Sequence, residues 1–176
     1  MPGPVFLDGE RITLRTVEEE DLEFLQHDIN DPEVWRSLGA VSPVNAEQER
    51  EWFEGIGDDG VSLLVCVEGE PVGMIGLSDV VEVWGRAEVG YWVTPDSWGE
   101  GYATEATDLL VGYAFDQRRL NKVVATAFEH NAGSRRVLEK VGFVEEGVHR
   151  EEAFVDGEFV DVHRYGLLAR EWREQR

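Results

Sequence analysis

Apolar and polar residues follow two different periods along the chain, and together these periods predict both strands and helices. Period-two alternation or short apolar runs predict strands at residues 11–16, 61–67, 72–81, 86–93, 120–128, 146–155 and 159–168. Apolar residues that recur every three or four positions predict helices at residues 16–29, 32–38, 45–57, 103–117 and 131–141. The mixture of both kinds of element indicates an α+β fold.

Turn and cap residues mark where these elements begin and end. Residues 16–19 (TVEE) and 45–48 (NAEQ) have the spacing of a helix capping box, in which two side chains bind free backbone groups of the first turn. Residues 68–71 (EGEP) and 156–157 (DG) carry the composition of tight turns. We therefore predict two antiparallel hairpins, one before and one after the middle of the chain.

Two strand–helix units follow each other between these hairpins, at residues 86–117 and 120–141. Their strands are predicted to run parallel and to splay, whereas the hairpins make the rest of the sheet antiparallel. A chain of 176 residues can bury one sizeable core but is too short for two ordinary domains. We predict a single domain over residues 1–176, with a mixed, mostly antiparallel central sheet flanked by helices.

A glycine-rich stretch, residues 93–106, joins the strand of the first unit to its helix. Gly99 and Gly101 remove side chains where a backbone must approach a ligand closely, and the helix that follows offers free N–H groups and a partial positive charge. This combination suits a diphosphate. The stretch has no Gly-Lys-Ser/Thr sequence for a nucleoside triphosphate and no third glycine spaced for a dinucleotide fold.

The residues of this stretch resemble the acyl-CoA turn of the GNAT superfamily of N-acyltransferases. A GYW strand at residues 90–92, the turn WGEGYATEA at 98–106, and the run from Asn131 through Ser134 to EKVGF at 139–143 are similar to the RimJ/RimL-type acetyltransferases. Trp98 departs from the Gln or Arg that opens the general superfamily turn. The resemblance extends from Arg11 to about Leu168.

The resemblance implies acetyl-CoA as co-substrate, with no metal. Its pantetheine arm is expected between the splayed strands, and its diphosphate on the backbone N–H groups of Gly99, Glu100, Gly101, Tyr102, Ala103 and Thr104. Asn131 is expected to contact a pantetheine amide, although it also fits an ordinary helix N-cap. Arg136, with Arg135 and Lys140, is the nearest positive charge for the 3′-phosphate, but these side chains fit a solvated helix face equally well.

Catalysis by such an enzyme needs a proton acceptor, an oxyanion donor and help for the leaving thiolate. The backbone N–H of Val93 is the oxyanion candidate, and the resemblance assigns the thiolate to the Ser134 hydroxyl, which could alternatively only cap its helix. Glu88, on the strand that enters the turn, is the first candidate for the base. Residues 151–152 (EE) compete with it. Placement of Glu88 and Ser134 on opposite sides of the sheet would remove this acid–base pair, and would count toward a module that binds acyl-CoA without catalysis.

The resemblance therefore implies transfer of an acetyl group to a primary amine by direct attack in a ternary complex. The RimJ/RimL-like sequence favours a protein N-terminal α-amino group, with a ribosomal protein as the partner. The alternatives are a small amine or antibiotic as acceptor, or a non-catalytic module that only binds acyl-CoA. A monomer and a homodimer both remain open.

The composition adds an unusual charge, because 37 acidic residues stand against 16 basic ones and give a net charge of -21. Nucleic acid is therefore an unsuitable partner. The acid excess fits either attraction of cationic substrates or solubility in concentrated salt, and we favour a halophilic source. The absence of a signal peptide or a long apolar stretch leads us to expect a cytoplasmic protein without membrane contact. The single cysteine, Cys66, is expected to be an inert core thiol.

Adaptation to salt makes a direct prediction about stability. If the carboxylates repel one another in dilute buffer, molar potassium chloride screens them, because the Debye length falls to about 3 Å at 1 M. We expect the melting temperature, followed by circular dichroism, to rise steeply from dilute buffer to molar potassium chloride. A flat response would instead support attraction of cationic substrates as the reason for the charge.

Overall fold

Eight strands form one continuous sheet in the order β1-β2-β3-β4-β5-β6-β8-β7 over the part of the chain that the structure describes, residues 2–57 and 60–176 of a computed structural model. The strands are β1 Val5–Asp8, β2 Ile12–Thr16, β3 Val61–Val67, β4 Glu70–Val81, β5 Arg86–Val93, β6 Lys122–Phe128, β7 Val144–Val155 and β8 Glu158–Leu168. Neighbouring strands are antiparallel except β5 and β6, which run parallel. The predicted mixed, mostly antiparallel α+β sheet is confirmed.

Helices cover both faces of this sheet. They are α1 Leu22–Ile29, α2 Pro32–Leu38, α3 Ala46–Glu54, α4 Tyr102–Asp116, α5 Ala132–Val141 and α6 Ala169–Glu174. Side chains cap several of their N-termini as the sequence predicts: Asn45 accepts from the N–H groups of Glu47 and Gln48, and Asn131 accepts from that of Ser134. These caps fix where α3 and α5 begin, because each satisfies backbone donors that the helix itself leaves free.

Some predicted boundaries differ from the structure. The capping box predicted at residues 16–19 is wrong: Glu18 and Asp21 form it instead, on a short 3-10 helix, Glu19–Asp21, that precedes α1. The N-cap is Glu18 rather than Thr16, and the Thr16 hydroxyl donates to the Glu18 carboxylate. The helix predicted to reach residue 57 ends at Glu54. The predicted break at residues 58–60 falls partly outside the described residues, since 58 and 59 are not described.

The core lies in two layers, one on each face of the sheet. One layer packs the sheet against α4, α5 and α6, with Leu110, Val123 and Leu138 fully buried. The other packs it against the first three helices and includes Cys66 and Trp92. Burial raises the pKa of the Cys66 thiol to about 11, which agrees with the inert thiol expected from the sequence, because the nucleophilic form of cysteine is the thiolate.

The parallel pair β5–β6 is short, and this is the feature that creates the site. Among the described residues, its ladder joins residues 86–88 of β5 to residues 122–124 of β6 and then stops. Beyond Glu88 the strand stays paired with β4 on its other edge, up to Val93. The second half of β5 therefore has one edge that faces a gap, as the predicted splay requires.

Candidate active site

The turn after β5 brings two left-handed glycines to the open end of this gap. Gly99 has φ +82° and Gly101 has φ +86°. Residues other than glycine adopt these left-handed backbone conformations only with conformational strain. A Cβ added at Gly99 would meet no described atom within 4 Å, and one at Gly101 would meet only the Arg11 guanidinium, at 3.2 Å. The backbone here is consequently bare and open on one side.

Helix α4 begins directly at this turn and points its N-terminus toward the open space. Gly101 is the N-cap and has no side chain that could accept from the amides of the first turn. Those amides and the positive end of a 15-residue helix have the chemistry that an anion needs. The predicted set from Gly99 to Thr104 thus lies together on one turn, and its bare backbone fits the diphosphate of CoA.

Arg11, immediately before β2, braces this turn and was not predicted as part of the site. Its guanidinium donates to the Glu100 carbonyl at 2.8 Å and to the Glu105 carboxylate at 3.1 Å, and its backbone N–H donates to Glu105 at 2.9 Å. Burial alone would raise the pKa of Glu105, but hydrogen bonds from Arg11 and from the backbone of Glu10 and Ile12 outweigh it and lower that pKa. The carboxylate therefore stays charged and keeps Arg11 on the turn.

The gap-facing edge of β5 presents the backbone N–H of Val93, the predicted oxyanion donor. The next N–H, of Thr94, donates to the Val72 carbonyl of the neighbouring hairpin at 2.8 Å. Since successive N–H groups of a strand point to opposite edges, that of Val93 points toward β6 and the gap. Its carbonyl accepts from the Trp98 indole at 2.9 Å. This hydrogen bond explains the aromatic residue that opens the turn.

Ser134 and Asn131 lie at the N-terminus of α5, on the face of the sheet that α4 covers. Asn131 Oδ1 accepts from the Ser134 N–H at 3.0 Å, so the N-cap interpretation of Asn131 is confirmed. Its contact with pantetheine stays a prediction.

A residue that sequence reasoning missed, Tyr91, contacts Ser134 from the strand. The Tyr91 hydroxyl lies 3.0 Å from Ser134 Oγ and 3.2 Å from the Ser134 carbonyl oxygen. Its position on β5, three residues before Thr94, places it on the gap-facing half of that strand.

Glu88 does not meet Ser134. Strand alternation puts Glu88 and Trp92 on one face and Tyr91 on the other, and the two core layers confirm this, because Trp92 packs in the layer of the first three helices. Glu88 instead receives a long hydrogen bond, 3.4 Å, from Thr126 of β6. The two predicted catalytic side chains therefore flank the gap from opposite faces and form no contacting acid–base pair.

The competing carboxylates at residues 151–152 are held by other groups. Glu152 binds His149 at 2.9 Å and Arg164 at 3.2 Å, and the hydrogen bond from His149, followed by the charge of Arg164, lowers its pKa. Glu151 has φ +52° in an irregular segment of β7, and its N–H donates to Asp161. Both residues are constrained by neighbours on β7 and β8. Glu88, by contrast, has one long hydrogen bond within the described part of the chain.

The basic residues of α5 divide between the pocket at the turn and the surface. Lys140 lines a pocket together with Arg11, Gly101 and Thr104. Arg136, the predicted phosphate ligand, is exposed and is absent from the lining of that pocket within the described chain. Its contact with CoA stays a prediction, and Lys140 is the α5 cation that the fold brings to the turn.

The described residues contain no cluster of three or more His, Cys, Asp or Glu side chains arranged to hold a metal ion. They also contain no helix long and apolar enough to cross a membrane.

Substitution of Gly101 tests the placement of the diphosphate. Gly101→Val puts a branched side chain at a left-handed position on the bare backbone, and we expect it to weaken acetyl-CoA binding at least tenfold by calorimetry. Gly57→Val is the matched control, because Gly57 also has positive φ (+97°) and open surroundings in the described structure, but lies before β3, at the opposite end of the sheet from the turn after β5. Equal affinities of the two variants would refute the placement.

Comparison with known proteins agrees with this geometry. The family model described as an acetyltransferase (GNAT) domain matches residues 11–144. The chain is 35% identical to "Putative ribosomal N-acetyltransferase YdaF" of Bacillus subtilis, over 96% of this chain and 97% of that protein. It is 29% identical to spermidine N(1)-acetyltransferase of Vibrio cholerae, over 90% and 93%. The crystal structure of spermidine N-acetyltransferase from Vibrio cholerae with CoA and spermine shares the fold, with a TM-score of 0.87 at 24% identity over 93% of this chain and 98% of that one. The chain belongs to the GNAT family of acetyltransferases.

Proposed function

We propose that this acetyl-CoA-dependent N-acetyltransferase acetylates the α-amino group of a protein N-terminus, by direct attack in a ternary complex. The similarity to a protein named as a ribosomal N-acetyltransferase, over nearly the full length of both chains, favours this acceptor. A ribosomal protein is accordingly the partner that we propose. The mechanism that we propose follows from the positions of Glu88 and Ser134 on opposite faces of the sheet.

The observation that carries the mechanism is the open surface around Glu88. Gly90, two residues further along the same face of β5, is exposed, and a Cβ there would meet no described atom within 4 Å. Thr126, beside Glu88 on β6, is also exposed. An amine can therefore reach the gap from this face, beside a carboxylate that has one long hydrogen bond.

Acetyl-CoA supplies a thioester whose carbonyl carbon the neutral amine attacks and whose sulfur leaves as a thiolate. The diphosphate is held by the backbone of the turn that Arg11 braces, which places the arm in the gap. Glu88 takes a proton from the amine nitrogen through water, on the open face. The Val93 N–H, which points into the gap, donates to the oxygen that becomes negative. The Ser134 hydroxyl donates to the leaving sulfur from the opposite face.

The two sides of the gap thus divide the reaction between acceptor and donor. Removal of the proton takes place on the face of Glu88, and departure of the thiolate takes place on the face of Ser134. Contact between these two residues is not needed, because they act on different atoms. Both roles are proposals that follow from their positions.

Replacement of Glu88 tests its role as base. Glu88→Gln keeps the shape and the contact with Thr126 but removes the basic carboxylate, so we expect kcat to fall about 10²-fold or more. Affinity for acetyl-CoA, whose proposed contacts do not include Glu88, should stay within about twofold. Glu82→Gln, an exposed glutamate of the preceding turn, is the matched control. Equal kcat in both variants would exclude Glu88 as the base.

A small polyamine is a second candidate acceptor, because the chain is similar to a spermidine N(1)-acetyltransferase and its charge of -21 attracts cations. We attribute that charge to salt adaptation instead, since molar salt screens long-range attraction. Aminoglycoside antibiotics, or binding of acyl-CoA without catalysis, are further alternatives that the same assay separates.

The acceptor is identified by release of free CoA thiol from acetyl-CoA, in low and in molar salt. We expect turnover with peptides that have a free N-terminus and none with the same peptides blocked at that amine. Spermidine, aminoglycosides and free amino acids complete the panel. Turnover with spermidine alone would keep the chemistry and reject the protein acceptor. Binding of acetyl-CoA without turnover on any amine would support a non-catalytic module.

A further inference from the structure

We propose that Tyr91 is a positioning residue for Ser134, so that the two hydroxyl groups act as one unit on the leaving thiolate. The inference rests on the role proposed above for Ser134. It concerns a contact between Tyr91 of β5 and Ser134 of α5, which are 43 residues apart in the sequence.

Two contacts fix the backbone of Ser134, in addition to the contact of its hydroxyl. Its N–H donates to Asn131 Oδ1 at 3.0 Å, and its carbonyl oxygen lies 3.2 Å from the Tyr91 hydroxyl. The same hydroxyl lies 3.0 Å from Ser134 Oγ. Tyr91 therefore contacts both the main chain and the side chain of Ser134. These contacts restrict the Ser134 side chain, which would otherwise rotate freely at the helix surface.

The number of hydrogens decides what this contact does. Each hydroxyl has one hydrogen to donate. When Tyr91 donates to Ser134 Oγ, the hydrogen of Ser134 is free to point toward a sulfur in the gap. When Tyr91 donates only to the carbonyl, the hydrogen of Ser134 can return to the Tyr91 oxygen instead. A negatively charged sulfur favours the first arrangement, because it accepts a hydrogen bond from the Ser134 hydroxyl.

The surroundings of Tyr91 keep it a donor. Burial raises the pKa of its hydroxyl far above the ordinary value, more than the hydrogen bond with Ser134 lowers it, and nearby Tyr165 raises it further. The hydroxyl therefore stays protonated at neutral pH. In the arrangement in which Tyr91 donates to Ser134 Oγ, the hydrogen bond polarises the Ser134 hydroxyl and strengthens the donation from Ser134 to a thiolate.

The direct test is the acidity of the thiol of CoA bound to the protein. The CoA thiolate is followed by its ultraviolet absorbance across a pH series, and the absorbance of the protein alone is subtracted at each pH. Burial raises the pKa of the Cys66 thiol to about 11, so this thiol ionises mostly above the pH values of the series. We expect the bound thiol to have a lower pKa than free CoA. Ser134→Ala should raise it by about one unit, since a hydrogen bond to a charged group has that magnitude. Tyr91→Phe, which leaves the Ser134 hydroxyl in place but no longer holds it, should raise the pKa by a smaller, measurable amount.

The double variant distinguishes positioning from an independent effect. If Tyr91 acts through Ser134, Tyr91→Phe should raise the thiol pKa in the native background and leave it unchanged in the Ser134→Ala background. Ser134→Thr keeps a hydroxyl, and in that background the effect of Tyr91→Phe should return. Equal effects of Tyr91→Phe in all three backgrounds would overturn the proposal. So would a bound thiol no more acidic than free CoA.

Turnover gives a second reading with its own control. We expect Tyr91→Phe to lower kcat about tenfold with little change in affinity for acetyl-CoA, and to have no further effect after Ser134→Ala. Tyr113→Phe, on α4 with its ring against Phe6, is the matched loss of a hydroxyl and should change neither value. Absence of turnover on every amine would reject the proposed function, whereas the thiol titration would still report on Tyr91.

Discussion

The early end of the β5–β6 ladder is the constraint on which the rest of the site depends. Three residue pairs hold the two parallel strands together, and then β5 continues along β4 while β6 diverges. An exposed strand edge carries N–H and C=O groups that an extended ligand can use in place of a strand. Both strands lead into helices at this end. The same separation therefore brings the N-terminus of α4 to the β5 edge of the gap and the N-terminus of α5 to the β6 edge, on one face of the sheet.

Three hydrogen bonds stabilise this opening from outside the sheet. Arg11 ties β2 to the Glu100 carbonyl, and the Trp98 indole ties the turn back to the Val93 carbonyl. The Tyr91 hydroxyl ties the edge of β5 to the first turn of α5. The first two fix the turn that follows β5, and the third joins β5 to the helix that follows β6, so it is the one of the three that links the two edges of the gap.

Local sequence signals predicted much of the fold and the position of the glycine-rich turn, because turns, caps and periodicity depend on residues that are close in sequence. Asn45, Asn131 and the glycines of the turn show this. The contacts of Tyr91 and Arg11 could not be predicted in the same way, since their partners are 43 and 89 residues away. The face on which Glu88 lies relative to Ser134 also needed the register of the whole sheet.

Two elements were missed for a related reason. Strand β1 has four residues, mostly exposed, and shows no alternation, so it is defined by its pairing with β2 rather than by its own pattern. Helix α6 has six residues, and what holds it is the burial of Trp172 against the other helices. The capping box expected at Thr16 failed because Glu18 and Asp21 offered a competing one two residues later.

The separation of the two faces of the gap has an evolutionary consequence. On the proposed cofactor side, the glycine turn presents main chain, which persists when side chains change, whereas on the proposed acceptor side Glu88 is surrounded by an open surface with exposed neighbours such as Thr126. Mutations on the acceptor side can therefore alter which amine is accepted while the donor side is left intact. A single scaffold can diversify its substrates in this way without having to rebuild its chemistry.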